Sequence, residues 1–236
     1  MKAVILAAGS GKRLRPLTNY IPKPLLPIGR KPVIGEIVTN LGALDFQEVI
    51  VVIGPKGDEI KKYLSRFKAP ISYVTQKRPL GTAHALSAAA KKIDGDVLVT
   101  AGDSVYPQSH YKALYAAFVK EDLDAALSLK VLDRKHMIES STVKVRKDGR
   151  ILQIIEKPSD KEILSEIACG PLHIFKALIK DYLKVKKSVR GEYELPDAIQ
   201  MMIDGGLKVK GVVAKKWQHL SSIEDFVRMN FTPVSS

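Results

Sequence analysis

Along this chain, short apolar runs alternate with stretches whose apolar positions recur every three or four residues. Lys2–Leu6 precedes the helical pattern Val33–Leu44, and Val49–Ile53 precedes the charged amphipathic stretch Asp58–Phe67. Ile71–Thr75 leads into alanine-rich Thr82–Lys92. Val97–Ala101 ends in Gly102-Asp103 and is followed by a helical stretch, Tyr111–Lys120, and another apolar run, Ala125–Val131. Short runs without polar alternation read as strands covered on both faces, as in parallel sheets. The β-α-β-α order predicts an α/β fold, a Rossmann-like three-layer sandwich whose mixed sheet is mostly parallel.

The rhythm changes after about residue 140. Thr142–Arg146 and Ile151–Ile155 flank Lys147-Asp148-Gly149-Arg150, an Asp-Gly hairpin signal. Leu172–Phe175 and Leu207–Val213 read as strands. Ala177–Val185, Pro196–Ile203 and Ile223–Met229 read as helices, the second opened by a proline in its first turn. With no Pro/Ser-rich linker and no internal repeat, one continuous domain is expected over residues 1–236.

Composition narrows the class. Hydrophobic residues are 45% and charged residues 27%, a globular balance. The apolar runs fall far short of the ~20 residues of a membrane helix, and the first residues do not form a signal peptide. A cytoplasmic protein with no membrane partner is expected. The single cysteine, Cys169, leaves no intramolecular disulfide and fits a reducing compartment. The net charge of +13 could attract nucleic acid, an anionic membrane or phosphorylated small molecules. No dense basic run is interleaved with aromatics, so nucleic acid is not expected, and most lysines read as solvated surface.

The first candidate site is Leu6-Ala7-Ala8-Gly9-Ser10-Gly11-Lys12-Arg13-Leu14, where the first strand ends. Ligands of open α/β sheets bind outside the carboxyl ends of strands, and small residues let backbone N–H groups approach phosphates. Two look-alikes fail. The dinucleotide fingerprint needs glycine where Leu14 stands, and the P-loop needs glycine at Leu6 and Ser or Thr at Arg13. A purely structural turn competes with a phosphate site. The next segment shifts the balance: Pro22-Lys23-Pro24-Leu25-Leu26-Pro27 stiffens a loop and holds Lys23 between two prolines. Helix is disfavoured there, so Lys23 reads as an anchor for a phosphoryl group.

Together, LAAGSGKRLRPLTNYIPKPLLP from Leu6 to Pro27 resembles the signature of the sugar-1-phosphate nucleotidyltransferases. That group includes glucose-1-phosphate thymidylyl- and uridylyltransferases and the uridylyltransferase domain of N-acetylglucosamine-1-phosphate enzymes. Further landmarks extend the resemblance over nearly the whole chain. It implies the nucleotide-diphospho-sugar transferase fold, with a nucleotide-binding part at about 1–135 and a sugar-binding part at about 136–236. Leu6, Ala7, Ala8, Gly9 and Gly11 would line the nucleotide pocket, Arg13 would bind the triphosphate and Lys23 the reacting phosphate. Gln76, with Gly81-Thr82, resembles the base-reading element and favours uracil or thymine. Asp103, after a buried strand, would hold Mg²⁺; a turn cap is its structural alternative. In Glu156-Lys157-Pro158, Glu156 would contact a sugar hydroxyl and Lys157 the sugar phosphate. Gly170 and Glu192 would lie near the sugar.

Two departures stand out. Trp217-Gln218-His219 resembles a Trp-x-Asp element, but His219 replaces the carboxylate or asparagine expected to help hold the metal. Mg²⁺ prefers oxygen ligands, so a one-carboxylate site at Asp103 is favoured, with His219 contacting phosphate or, less favourably, Mn²⁺. No asparagine stands near Ala168-Cys169-Gly170, where many members carry one that reads the sugar.

The resemblance implies transfer of a nucleotidyl group from UTP or dTTP to a sugar 1-phosphate with release of pyrophosphate. A regulatory or catalytically weak nucleotide-sugar-binding subunit stays open because of His219. So does a cytidylyl- or guanylyltransferase acting on another phosphorylated alcohol. No left-handed β-helix domain is expected. A homo-oligomer is compatible with the resemblance, dimers and tetramers both occurring among similar enzymes.

Overall fold

The computed structural model describes residues 1–231. Nine strands build the central sheet: β1 (Lys2–Ala7), β2 (Val49–Ile53), β3 (Ile71–Thr75), β4 (Val97–Ala101), β5 (Ala125–Val131), β6 (Ser141–Val145), β7 (Ile151–Glu156), β8 (Ile167–Phe175) and β9 (Val209–Val213). Six helices of eight or more residues accompany them: α1 (Val33–Leu41), α2 (Gly57–Leu64), α3 (Thr82–Ala89), α4 (Gln108–Lys120), α5 (Leu195–Asp204) and α6 (Ile223–Phe231).

The sheet is mixed, as its sequence pattern predicts. β3-β2-β1-β4 is a parallel block, with β1 between β2 and β4. β8 runs antiparallel to β4, β5 and β6, while β9 is parallel to β5. Strand β1 shows why its residues after Lys2 are all apolar. Ala3, Ile5 and Ala7 enter one core with Ile34, Ile37, Tyr111 and Leu114. Val4 and Ala8 enter the other with Ala83, Ala85, Leu86, Ile199 and Met202. A strand between two helix layers must be apolar on both faces, and each fully buried Ile or Val contributes ~1.5–3 kcal/mol.

Several boundaries differ from the pattern. α1 stops at Leu41 rather than Leu44, because Gly42, Ala43 and Leu44 donate to carbonyls three residues back, tightening the end of the helix. The expected helix over Ala177–Val185 is a single turn, Ile179–Tyr182. β8 begins at Ile167, five residues before the apolar run Leu172–Phe175. Gly170-Pro171 interrupts its pattern, and the register shift between Cys169 and His173 absorbs them. The Asp-Gly turn does join β6 to β7, with Gly149 at φ +86°. Residues 232–236, at the end of the expected sugar-binding part, lie outside the described residues.

Candidate active site

The carboxyl ends of β1 and β4 come together. Gly102 N–H donates to Leu6 O at 2.9 Å. A Cβ on Gly102 would sit 3.1 Å from Ala7 Cα, so only glycine lets the strand ends approach without displacement. After β1, Ala7 and Ala8 are buried, whereas a Cβ on Gly9 would meet nothing within 4 Å, leaving the turn open to a ligand. Gly11 lies at φ +63°, and its missing Cβ would fall 2.8 Å from Thr18 Cγ2 and 3.1 Å from Lys23 Cβ. Thr18 Oγ1 donates to Gly11 O at 2.9 Å. The glycine turn therefore packs directly on the segment that carries Lys23.

That segment is not extended. Lys23–Leu25 is one 3-10 turn between Pro22 and Leu26, tighter than the non-helical loop expected from the prolines. Lys23 is nevertheless no surface charge: its side chain is 14% exposed and ion-pairs with Asp103 Oδ2. Arg13 is more exposed and pairs with Glu139, and both line the cavity described below.

Asp103 begins a short turn after β4. Beyond it, Ser104–Val105 pairs antiparallel with Gln218–His219, and Leu220 N–H donates to Asp103 O at 2.9 Å. This ribbon aligns His219 with Asp103. Ser104 Oγ donates to Asp103 Oδ1 at 3.1 Å and lies 2.7 Å from His219 Nδ1. The hydroxyl has one proton, so Nδ1 carries the hydrogen in that contact. Burial would raise the Asp103 carboxyl, but the Lys23 ammonium and then His219 outweigh it and hold the pKa below the usual range. Burial, with Lys23 and Lys130 nearby, lowers the pKa of His219 despite Asp103, so the ring is neutral at pH 7.

A cavity of about 760 Å³ opens beside His219. Its lining includes Leu6, Arg13, Thr82, Glu156, Gly170 and His219 from the sequence-derived candidates. Glu156 accepts from Ser141 Oγ, and burial raises its pKa. Gly170 is required by packing: a Cβ there would sit 2.4 Å from Tyr106 Oη. Lys157 adopts φ +45°, rare for a residue with a side chain, and its N–H donates to Ser140 O at 2.7 Å. Such backbone strain clusters at functional sites.

Other candidates sit differently. Gln76, Gly81, Lys157 and Glu192 lie outside the cavity lining, as do Ala7, Ala8, Gly9, Gly11 and the Lys23–Asp103 pair. Gln76 is buried, and its Nε2 contacts Gly81 O at 3.2 Å and His84 Nδ1 at 2.8 Å. Gly81 lies at φ +106°, where a Cβ would strike Tyr193 O at 2.4 Å. Thr82 Oγ1 accepts from Leu195 N–H, tying α3 to α5. In place of Glu192 the cavity presents Glu194, held by Arg190 at 3.0 Å. Sequence reasoning also missed Lys130 and His173, both cavity residues on strands, where nothing but a polar side chain inside an apolar run marks them. His173 is neutral, its pKa lowered to about 3 by burial.

Among the described residues, no cluster of three or more His, Cys, Asp and Glu side chains could hold a metal. Asp103 with substrate oxygens does suit a hard divalent ion, since Mg²⁺ is commonly held by one or two carboxylates plus phosphates. Among the described residues, no helix is long and apolar enough to cross a membrane.

The strand-end glycine turn, the buried lysine–aspartate pair and the nearby cavity belong to an α/β protein with a polar site at the carboxyl ends of its parallel strands. The chain belongs to the nucleotidyl transferase family, whose profile matches residues 2–232. Divalent metal use is general in that family. The chain is 31% identical over 237 residues to the low-salt glycan biosynthesis nucleotidyltransferase Agl11 of Haloferax volcanii, covering 98% of this chain and 65% of that one. It is 29% identical over 221 residues to the UTP–glucose-1-phosphate uridylyltransferase AglF of the same organism, covering 92% and 90%. It spans 56% of the bifunctional protein GlmU of Methanococcus maripaludis, to which it is 30% identical over 244 residues, aligned across 100% of this chain. In fold it is similar to a UDP-glucose pyrophosphorylase crystallised with UDP-glucose, at a TM-score of 0.88 and 21% identity, covering 97% and 96% of the two chains.

Proposed function

We propose that the protein transfers a nucleotidyl group from UTP or dTTP to a sugar 1-phosphate of the glucose 1-phosphate type, forming a nucleotide-sugar and pyrophosphate. One observation carries this reading: Lys23 and Asp103 meet beyond the end of β4, and His219, in contact with Asp103, lines a cavity that presents Glu156. The glucose-1-phosphate uridylyltransferase activity for which AglF is named supports the sugar. The amide of Gln76 supports the base. With Nε2 turned to Gly81 and His84, its Oε1 is left to accept a hydrogen bond, which suits the N3–H of uracil or thymine.

In this mechanism a phosphate oxygen of the sugar 1-phosphate attacks the α-phosphorus in line. The bond from that phosphorus to the bridging oxygen breaks, and pyrophosphate leaves with the electron pair. The protein's work is positioning and charge neutralisation. Leu6, Ala7, Ala8, Gly9 and Gly11 form the floor under the nucleotide. Arg13 moves from Glu139 to the triphosphate. Lys23 steadies the reacting phosphate, and Lys157 and Glu156 hold the sugar phosphate and a sugar hydroxyl. Gly170, Glu192, Gly81 and Thr82 shape the two pockets. Mg²⁺ held through Asp103 would supply Lewis-acid stabilisation of the phosphate oxygens.

We place residues 1–135 on the nucleotide side and the remainder on the sugar side of one unit, with no nucleic acid or membrane partner. A cytoplasmic setting suits the lone buried Cys169, and assembly into a homo-oligomer is compatible with this reading.

The test is pyrophosphate release by purified protein with Mg²⁺, four triphosphates and a panel of sugar 1-phosphates. Release with UTP or dTTP and glucose 1-phosphate is expected. Preference for CTP or GTP would overturn the base assignment. His219 favours a second reading, a nucleotide-sugar-binding subunit with little catalysis; tight binding without release across the panel would establish it.

A further inference from the structure

We propose that Lys130 forms an anion subsite at the phosphate end of the cavity and binds the phosphate of the sugar 1-phosphate. The inference rests on the sugar-phosphate reading of that cavity.

Lys130 projects from β5, opposite Ala168 of β8, and lines the cavity. Its Nζ lies 3.6 Å from the centroid of the Trp217 ring. Trp217 is itself fixed, stacked at 5.6 Å on Tyr106 and at 5.8 Å on His219. The ammonium is therefore held on a rigid platform one ring away from the imidazole that contacts Asp103.

What it lacks is a counter-ion. Among the described residues, no carboxylate lies within 4.0 Å of Lys130, and the carboxylates that share the cavity are engaged elsewhere. Glu156 is bound by Ser141, Glu194 by Arg190, and Asp225 by Ser221 and Arg228. Burial lowers its pKa to about 8, yet it remains mostly charged at neutral pH. A desolvated cation facing an open cavity without a partner is unfavourable unless a ligand supplies the anion. An aromatic face steadies the cation but does not neutralise it.

Charge balance points to the same ligand. With His219 where a second carboxylate would add negative charge, Asp103 faces Lys23 and a neutral His219, and Lys130 adds a cation over the Trp217 ring that stacks on His219. Two phosphate-bearing substrates bring several negative charges to this point. Lys157, expected to bind the sugar phosphate, lies outside the cavity lining, and Lys130 lies within it.

The experiment combines calorimetry and kinetics on wild type, Lys130→Met, Lys130→Gln and Lys130→Arg, with folding checked by thermal melting. Probes are orthophosphate, glucose 1-phosphate and glucuronic acid 1-phosphate. Methionine is expected to weaken orthophosphate and glucose 1-phosphate binding at least tenfold, while KM for the triphosphate changes less than twofold. Arginine should restore affinity to within threefold, and glutamine should reproduce the loss if the methionine variant fails to fold. Unchanged glucose 1-phosphate affinity overturns the proposal. So does an equal loss for triphosphate and sugar phosphate, which would make Lys130 a support for Trp217. A preference for the glucuronate compound that vanishes in the methionine variant would assign Lys130 to a sugar carboxylate and also overturn it. Wild type that binds no phosphate compound at millimolar concentration does the same. Lys130-dependent orthophosphate binding without turnover on any substrate pair would keep the subsite and remove the proposed reaction.

Discussion

Lys23 and Asp103, eighty positions apart in sequence, form an ion pair in which both side chains are less than one-fifth exposed. The pair ties the proline-flanked turn to the end of β4. A phosphate or metal entering there would meet a cation and a carboxylate already fixed. Replacing Lys23 with methionine is expected to reduce kcat ~100-fold or more, the scale for losing one preorganised charge partner. Asp103→Asn should be as damaging. Steady-state pyrophosphate release measures both, and full activity in either variant removes the residue from the mechanism.

The same pair links stability to pH. The folded pKa of Asp103 is below its unfolded value of ~3.9. Its contribution is therefore fully present above that unfolded value and is lost as pH falls through the folded one. In Lys23→Met, burial acts on Asp103 with less opposition, so its pKa rises and acid unfolding should begin at higher pH. Thermal melts at pH 3 to 7 should show a Tm drop at pH 7 corresponding to ~2 kcal/mol, from a buried charge left without its partner. Superimposable curves for the two proteins would show the pair to be energetically neutral.

Most of the scaffold was legible because burial on both faces leaves a plain trace. The strands Val49–Ile53, Ile71–Thr75, Val97–Ala101 and Ala125–Val131 are bounded as their apolar runs predict. β8 was shortened by reading because Gly170-Pro171 interrupts its pattern, although the sheet continues through a register shift. The turn carrying Lys23 and the neighbouring turns lack periodicity, and only proline spacing marked them. Arg13 and Asp103 were singled out by the resemblance, each a short way beyond the end of a buried strand. Lys130, His173 and Glu194 were not, because a polar side chain on a strand signals a cavity only once the sheet is folded around it. Two positions beyond Glu192, Glu194 of the same segment lines the cavity, a difference of facing that the sequence does not reveal.

Gly81 ties the expected base-reading element to the helix layer behind it. At φ +106°, and with Tyr193 O 2.4 Å from any Cβ, alanine cannot be accommodated without moving the Tyr193 backbone. That backbone accepts from Ala83 N–H and donates to Leu80 O. Gly81→Ala is expected to destabilise the protein by ~2 kcal/mol or more and to raise KM for the triphosphate more than KM for the sugar phosphate. Urea unfolding and a two-substrate kinetic analysis would check both; a stability change below ~0.5 kcal/mol contradicts the steric argument.

His219→Asp should return a second carboxylate to the ribbon position opposite Ser104. Two carboxylates hold a divalent ion more tightly than one, so the Mg²⁺ concentration giving half-maximal rate is expected to fall several-fold. Lys23 would then neutralise two carboxylates instead of one. A metal titration of activity, paired with Mn²⁺ binding followed by electron paramagnetic resonance, separates affinity from rate. A requirement unchanged in both measurements would mean that the residue at 219 stands outside the metal's reach.

Arg13 pairs with Glu139, and both side chains are more than half exposed. A pair in that setting contributes at most ~0.5–1 kcal/mol to stability, so Glu139→Gln should leave Tm nearly unchanged. Its effect belongs to binding. If Arg13 serves the triphosphate, it must leave Glu139 first, and removing the competing carboxylate should lower KM for the triphosphate two- to threefold at low salt. The gain should shrink at higher ionic strength, because screening already weakens an exposed pair. Initial rates in 20 and 300 mM salt would read this directly. A KM that rises in Glu139→Gln would instead assign Glu139 to holding Arg13 in its productive position.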